Sequence, residues 1–267
     1  MSRLSTSAFA MLVAGTIAAF FITQHLKVTT PLIQGFPRPV PGVIDPLHAV
    51  PCSGKSSAST TISFYLQHRA DTVDVYVVDD DDGAIVRTVA SGRHMRKNVR
   101  IPDGVFHWNG REDDGQVAPD GTYYFRVALI HQGRTVDLDA SNQTVKVKTV
   151  PPHPVITSVT PSLIPGSNGT SVTIHYKGNE QRGGTIRIYR TDLPGGPRLV
   201  KSFLTPWKGQ QAIWDGKING QPAPAGTYLI GLDVTDAACD TGHFPAHVPP
   251  GPAITARDTV TVLPTRP

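Results

Sequence analysis

Trp214-Asp215-Gly216-Lys217-Ile218-Asn219-Gly220-Gln221-Pro222-Ala223-Pro224-Ala225-Gly226-Thr227-Tyr228 decides the fold, because the chain carries the same device earlier. The earlier copy runs Trp108-Asn109-Gly110-Arg111-Glu112-Asp113-Asp114-Gly115-Gln116-Val117-Ala118-Pro119-Asp120-Gly121-Thr122-Tyr123. In each, an aromatic anchor ends a strand and an Asn-Gly or Asp-Gly pair turns the chain. A Pro-x-Gly turn then launches the next strand. The launched strand alternates: Tyr123, Phe125, Val127 and Leu129 share one face in the first copy, and Tyr228, Ile230, Leu232 and Val234 share one in the second. Period-two alternation of this kind marks a half-buried strand, so these are the expected core faces. A Tyr opening such a strand buries its ring and gives its hydroxyl to a nearby backbone group, as in a tyrosine corner. Trp108, Gly110, Gly121, Tyr123, Trp214, Gly216, Gly226 and Tyr228 are therefore expected as structural residues, with a ligand platform of Trp108 and Trp214 as the lesser reading.

Outward from the two copies, short strands alternate with turns. In the first half they are expected over 60–67, 72–78, 84–90, 105–108, 121–131 and 145–150, and in the second over 155–160, 171–176, 185–190, 198–204, 211–214, 226–236 and 259–263. No amphipathic helix interrupts either set, which points to an all-β architecture of two tandem Ig-like or fibronectin-III-like sandwiches at 52–150 and 151–267. Composition agrees. The 267 residues include 25 Gly and 24 Pro with only 17% charged side chains, which argues against a helical bundle, a coiled coil or a highly charged disordered chain.

Between Arg3 and Lys27 the sequence holds no Asp, Glu, Lys or Arg. As a helix this interval spans roughly 34 Å, enough for a ~30 Å hydrocarbon core, and residues 1–27 are expected to form an uncleaved membrane anchor. A cleaved signal peptide is the alternative; the exit Ile22-Thr23-Gln24-His25-Leu26-Lys27 offers no clear small-x-small cleavage site. Residues 28–51 carry Pro31, Pro37, Pro39, Pro41, Pro46 and Pro51, spacing that favours an extended stalk, part of which could pair as an edge strand.

The repeated motif resembles the FlgD Ig-like domain family, named for a flagellar hook capping protein and found on exported bacterial proteins. Trp108-Asn109-Gly110-Arg111-Glu112-Asp113-Asp114-Gly115 through Tyr123 is similar to the family's hallmark with one extra acidic residue; Trp214 to Tyr228 is a looser match. Thr61 to Phe64, Val73 to Tyr76 and Ala84 to Val89 resemble its earlier strands. Where members open with a Ser-Pro-Asn-Gly-Asp-Gly loop, this chain has Val50-Pro51-Cys52-Ser53-Gly54-Lys55. The resemblance implies an Ig-like fold and export, as in tandem, membrane-anchored envelope proteins of high-GC Gram-positive bacteria, and transfers no catalytic residue.

Several stretches imitate chemistry. Ala49-Val50-Pro51-Cys52-Ser53-Gly54-Lys55-Ser56 satisfies a relaxed phosphate-loop pattern but is preceded by Pro-rich chain and followed by a strand, so no helix N-terminus receives a phosphate. Asp79-Asp80-Asp81-Asp82-Gly83 reads as a hairpin tip rather than a calcium loop. Arg93, His94, Arg96, Lys97 and Arg100 form a small basic cluster without interleaved aromatics, so nucleic acid is not expected as a partner. Cys239, His243 and His247 are spaced for a helical metal face, but Pro245 and the run Pro249-Pro250-Gly251-Pro252 make the interval a loop; no metal or cofactor is expected. Outside the membrane a disulfide between Cys52 and Cys239 is permitted. No nucleophile elbow or zinc-protease helix motif is present, and no enzyme is expected. The expectation is a single-pass protein of the cell membrane, its bulk extracytoplasmic, presenting two Ig-like domains to a protein or wall-polymer partner. The alternative is a wall-polysaccharide module using Trp207.

Overall fold

The computed structural model describes residues 2–52, 55–166, 169–178, 183–207, 209–248 and 257–265. It divides into two compact units: Met1–Pro39, Thr61–His107 and Tyr124–Thr144 make one, and Val40–Thr60, Trp108–Tyr123 and Val145–Pro267 the other. The dividing lines pass through strands, so Gly121–Leu129 contributes to both.

Apart from the N-terminal helix Ser2–Thr29, the described regular structure is β. A six-stranded sheet runs in the order Val43–Ile44, Val145–Val147, Gly121–Leu129, Asp71–Asp79, Ile85–Met95, with Arg134–Leu138 also paired to Gly121–Leu129. A second has the same plan: Leu163–Pro165, Thr259–Leu263, Gly226–Thr235, Gly184–Arg190, Arg198–Leu204, with Thr241–Phe244 paired to Gly226–Thr235. In both, the first two strands are parallel and the long motif strand is antiparallel to its neighbour. The other layers are Thr60–Ser63 paired with Val105–Trp108, and a three-stranded sheet of Val155–Thr160, Val172–Lys177 and Gln211–Trp214.

The faces expected from alternation are the buried ones. Tyr123, Phe125, Val127 and Leu129 are buried, as are Tyr228, Ile230, Leu232 and Val234. In the second unit one core cluster joins Ile156, Ile174, Tyr176 and Trp214 of the three-stranded sheet to Ile186, Ile188, Ile230 and Val260 of the six-stranded sheet. Two sheets sharing one apolar interior form a sandwich, and burying side chains of this size stabilises by about 1.5–3 kcal/mol each.

Three expectations change. Residues 28–51 do not stand free as a stalk: Ile33–Gln34 pairs with Tyr65–Leu66, and Val43–Ile44 lies parallel to Val145–Val147. The cause is visible in Leu32, Ile33 and Ile44, which are buried, while Thr60 Oγ1 donates to Pro41 O at 2.6 Å and Gln143 Nε2 to Pro37 O at 3.1 Å. The strand expected over 60–67 breaks at Phe64, whose N–H donates to Gly104 O, so that Tyr65–Leu66 pairs with Ile33–Gln34 instead. The interval after Thr241 contains a strand, Thr241–Phe244.

Among the described residues no helix is long and apolar enough to cross a membrane. Within Ser2–Thr29 the contiguous described side chains run from Ser7 to Thr23, all exposed and none charged, over roughly 25 Å of helix. Thr16 Oγ1 donates to Leu12 O at 2.8 Å and Thr23 Oγ1 to Ala19 O at 2.7 Å, so both hydroxyls are satisfied within the helix.

Candidate functional site

The two motif turns are built from matching bonds. Trp108 Nε1 donates to Arg111 O at 2.9 Å and Trp214 Nε1 to Lys217 O at 3.0 Å; Tyr123 and Tyr228 hydroxyls donate to Pro119 O and Pro224 O, both at 2.7 Å. Trp108 packs edge-on to Tyr123 at 5.1 Å, and Trp214 tilts onto Tyr228 at 5.6 Å. Gly110 and Gly216 have φ of 69° and 64°, and their carbonyls accept from Ala118 and Ala223 N–H. Gly121 and Gly226 open the long strands. Both Trp rings are buried with their N–H satisfied, so they anchor the turns and present no platform to a ligand.

The decoys resolve locally. Asp79 to Asp82 cap a hairpin tip: Asp81 N–H donates to Asp79 Oδ1 and Ala84 N–H to Asp82 Oδ1, each at 2.8 Å. In the basic cluster, Arg93 donates to Val105 O and Pro102 O with its guanidinium over Phe106, and Arg96 grips Asp103. Arg96 holds the Asp103 carboxyl down to about 2. Pro51–Cys52 pairs with Lys55–Ser56, so the phosphate-loop imitation leads into strands. Cys239 sits in a turn at φ 70° and is disulfide-bonded; the sequence's other cysteine is Cys52, whose side chain lies outside the described residues. His243 lies on a strand with Nδ1 2.8 Å from Asp233 Oδ1, and His247 is exposed in the following loop. These three residues form no metal face.

A different cluster was missed by sequence reasoning. Asp45, His48 and Asp240 offer ligand atoms that lie within 4.8 Å of one another. Asp45 is wholly buried, Asp240 is 5% exposed, and the His48 side chain is 52% exposed. Asp45 follows the strand Val43–Ile44 and closes a turn: its Oδ1 accepts the N–H groups of Leu47 at 2.7 Å and His48 at 3.0 Å. Its Oδ2 faces His48 Nδ1 at 2.7 Å. Asp240 ends the tight loop after Gly226–Thr235, where Asp236 Oδ1 accepts the N–H groups of Ala238 and Asp240. Lys148 Nζ lies 2.9 Å from Asp236 Oδ2.

The electrostatics follow from placement. Burial pushes the Asp240 carboxyl up to about 6, helped by the facing Asp45 carboxylate and by Asp236. Burial also works to raise Asp45, but the bonds from the His48 ring and from the Leu47 and His48 N–H groups outweigh it, and Asp45 lies below the usual carboxylate range. His48 is raised by its bond to Asp45. Two buried carboxylates thus meet with one half-exposed imidazole, a donor set able to share a proton or hold a cation. The only sequence signal was Asp-Pro-x-His ahead of the first strands; nothing in it indicated Asp240.

On the second unit's surface, Trp207 is 70% exposed. Close by in sequence, Pro206, Gly209, Gln210 and Gln211 join His175 and Ile213 around a groove of about 510 Å³.

Residues 50–133 match the family model of the FlgD Ig-like domain, so this part of the chain carries that domain. No curated protein matches the chain. Among solved structures, a marsupial T cell receptor is similar at 11% identity over 78% of this chain and 69% of that chain, with a TM-score of 0.26, a likeness too slight to bear on fold or function.

Proposed function

We propose that the chain is a membrane-anchored, non-enzymatic interaction protein that presents two Ig-like sandwiches outside the cytoplasm for contact or assembly at the cell envelope. The observation that carries this reading is the FlgD Ig-like match at 50–133 together with the recurrence of its Trp and Tyr turn bonds at Trp214 and Tyr228. Support for the anchor comes from the charge-free interval between Arg3 and Lys27 and from Phe9, Leu12, Ile17 and Phe20, which project from the helix into solvent. Apolar side chains exposed all round a helix call for a lipid or protein environment. Edge strands and exposed loops then supply the contact surface.

Fractionation of cells making the full chain tests the anchor. Retention in the membrane pellet after alkaline washing, with digestion by protease added from outside, is the expected result; release into the soluble fraction defeats it. Co-sedimentation of the detergent-solubilised chain with protease-treated and untreated envelope fractions tests the partner. Binding lost with protease indicates a protein partner.

A second reading, wall polysaccharide, is favoured by exposed Trp207 near the groove with His175, Gln210 and Gln211. An exposed ring a few residues in sequence from a groove lined by two amide side chains suits a sugar ligand. Under that reading binding survives protease treatment of the envelope and disappears in Trp207→Ala; unchanged retention removes it.

A further inference from the structure

From the convergence of Asp45, His48 and Asp240 we infer a binding site for a divalent cation of the zinc or manganese class, joining the segment after Val43–Ile44 to the loop that ends at Asp240. Two observations carry it independently. The first is donor geometry: two carboxylates and an imidazole with ligand atoms inside 4.8 Å, brought together from positions almost two hundred residues apart. The second is an orphaned atom. Among the described residues, Asp240 Oδ2 is buried and meets no hydrogen-bond donor, and the Asp240 carboxyl lies against another carboxyl, that of Asp45. A buried carboxylate oxygen without a donor is costly, and a cation at this point removes the cost.

Charge points the same way. Asp45, Asp236 and Asp240 are all buried, whereas the cationic neighbours are Lys148, which lies on Asp236, and the half-exposed His48. Of the groups that act on Asp240, Asp45 and Asp236 are like charges, and only the half-exposed His48 ring works against them. A divalent ion between Asp45, His48 and Asp240 balances both carboxylates.

The surroundings are those of a held site. Asp45 is oriented by two backbone N–H groups on Oδ1, leaving Oδ2 to the cluster. The Asp240 loop is braced by Asp236 Oδ1 and by the disulfide at the adjacent Cys239. Such outer bonds fix ligand direction and restrict the site to one shape. The exposed edge of His48 gives the ion a path from solvent and leaves positions for water. The mixture of imidazole and carboxylate selects the class: oxygen donors alone suit calcium or magnesium, and one imidazole shifts preference toward zinc and manganese. An ion bound at ~2.0–2.2 Å takes the place of the 2.7 Å bond between His48 Nδ1 and Asp45 Oδ2, a rearrangement within reach of the His48 and Asp240 side chains.

The test uses the full chain in detergent, stripped with chelator and dialysed against Zn²⁺ or Mn²⁺, with bound metal counted by elemental analysis and affinity by calorimetry. The expected result is one ion per chain, with Asp240→Asn and His48→Gln each weakening binding at least ~10-fold, and His243→Gln leaving it unchanged. Thermal unfolding of each variant without metal checks folding. If Asp240→Asn does not fold, His48→Gln decides, since its side chain is half exposed. The proposal is overturned by absence of binding for both metals, by binding unaffected in both cluster variants, or by loss in His243→Gln alone. Calcium binding indifferent to His48→Gln also overturns it, because the site would then be built of oxygens only.

Discussion

The two Trp-to-Tyr turns hold the same skeleton with different insides. Trp indole, Tyr hydroxyl and Gly carbonyl bonds agree to within 0.1 Å between the copies. Between those fixed points the first copy is braced by its own side chains, with Arg111 Nη1 donating to Gly115 O at 3.0 Å and Gln116 N–H to Asp114 Oδ1 at 2.8 Å. The second folds as a small hairpin, Lys217–Ile218 on Gln221–Pro222, around Asn219 and Gly220 with positive φ. Lys201 Nζ reaches across to Asp215 Oδ1 and Lys217 O. The difference teaches that the anchors set the turn and the intervening loop is free to change in length and charge.

The comparison breaks first at the rings. Trp108→Ala and Trp214→Ala each remove a buried indole and are expected to cost about 3–5 kcal/mol, equal within the scatter of such values. Hydrogen exchange followed by mass spectrometry reads each copy separately; a small loss at Trp214 alone would show that the looser copy does not depend on its anchor.

Next come the glycines. A Cβ on Gly110 would lie 2.1 Å from Pro46 Cγ, and one on Gly216 would lie 2.4 Å from Thr170 O. With the positive φ added, Gly→Ala at either is expected to cost about 2–4 kcal/mol. Gly216 is the harsher site, because a backbone carbonyl yields less than a proline ring edge. Denaturant unfolding of the two variants measures the order.

The sheets also differ where their inner hairpins begin. The strand Asp71–Asp79 opens on a buried carboxylate, and its counterpart opens on Gly184. Burial acts to raise Asp71, but the His131 N–H and side chain, Gln132 and the Thr72 N–H together bring it below its ordinary value. Its folded value being lower than its unfolded one, these bonds stabilise at neutral pH and are lost as pH falls through the carboxylate range near ~4 and below. Asp71→Asn is expected to cost about 1.5–3 kcal/mol at pH 7 and to flatten the acid limb of stability for this sheet. Amide protection in Asp71–Asp79 that does not weaken with acid would refute the assignment.

The smallest change is the hydroxyl. Tyr123→Phe and Tyr228→Phe each remove one 2.7 Å bond to a proline carbonyl and are expected to cost about 1 kcal/mol. A difference above that between the two would mean one corner carries more than its bond.

Much of this was open to sequence because strands and turns are local. Alternation located Gly121–Leu129 and Gly226–Thr235, and positive-φ glycines marked the turns between anchors. The short strands Ile33–Gln34, Val43–Ile44 and Leu163–Pro165 were not legible: two or three residues among prolines carry no period, and only a waiting sheet edge makes them strands. His243 was read for its spacing to Cys239, while its actual partner, Asp233, lies across a strand pair.

By itself the sequence determined the β class, the duplicated turn, its buried faces and the charge-free N-terminal interval. Those features depend on neighbours within about a dozen residues, where period and turn chemistry act. Only the tertiary structure drew the Pro-rich segment into the sheets and set Asp240 against Asp45 and His48. Contacts between residues so distant leave no periodic trace in one chain, because what selects them is the shared core and the cost of burying charge, and both exist only once the chain is folded.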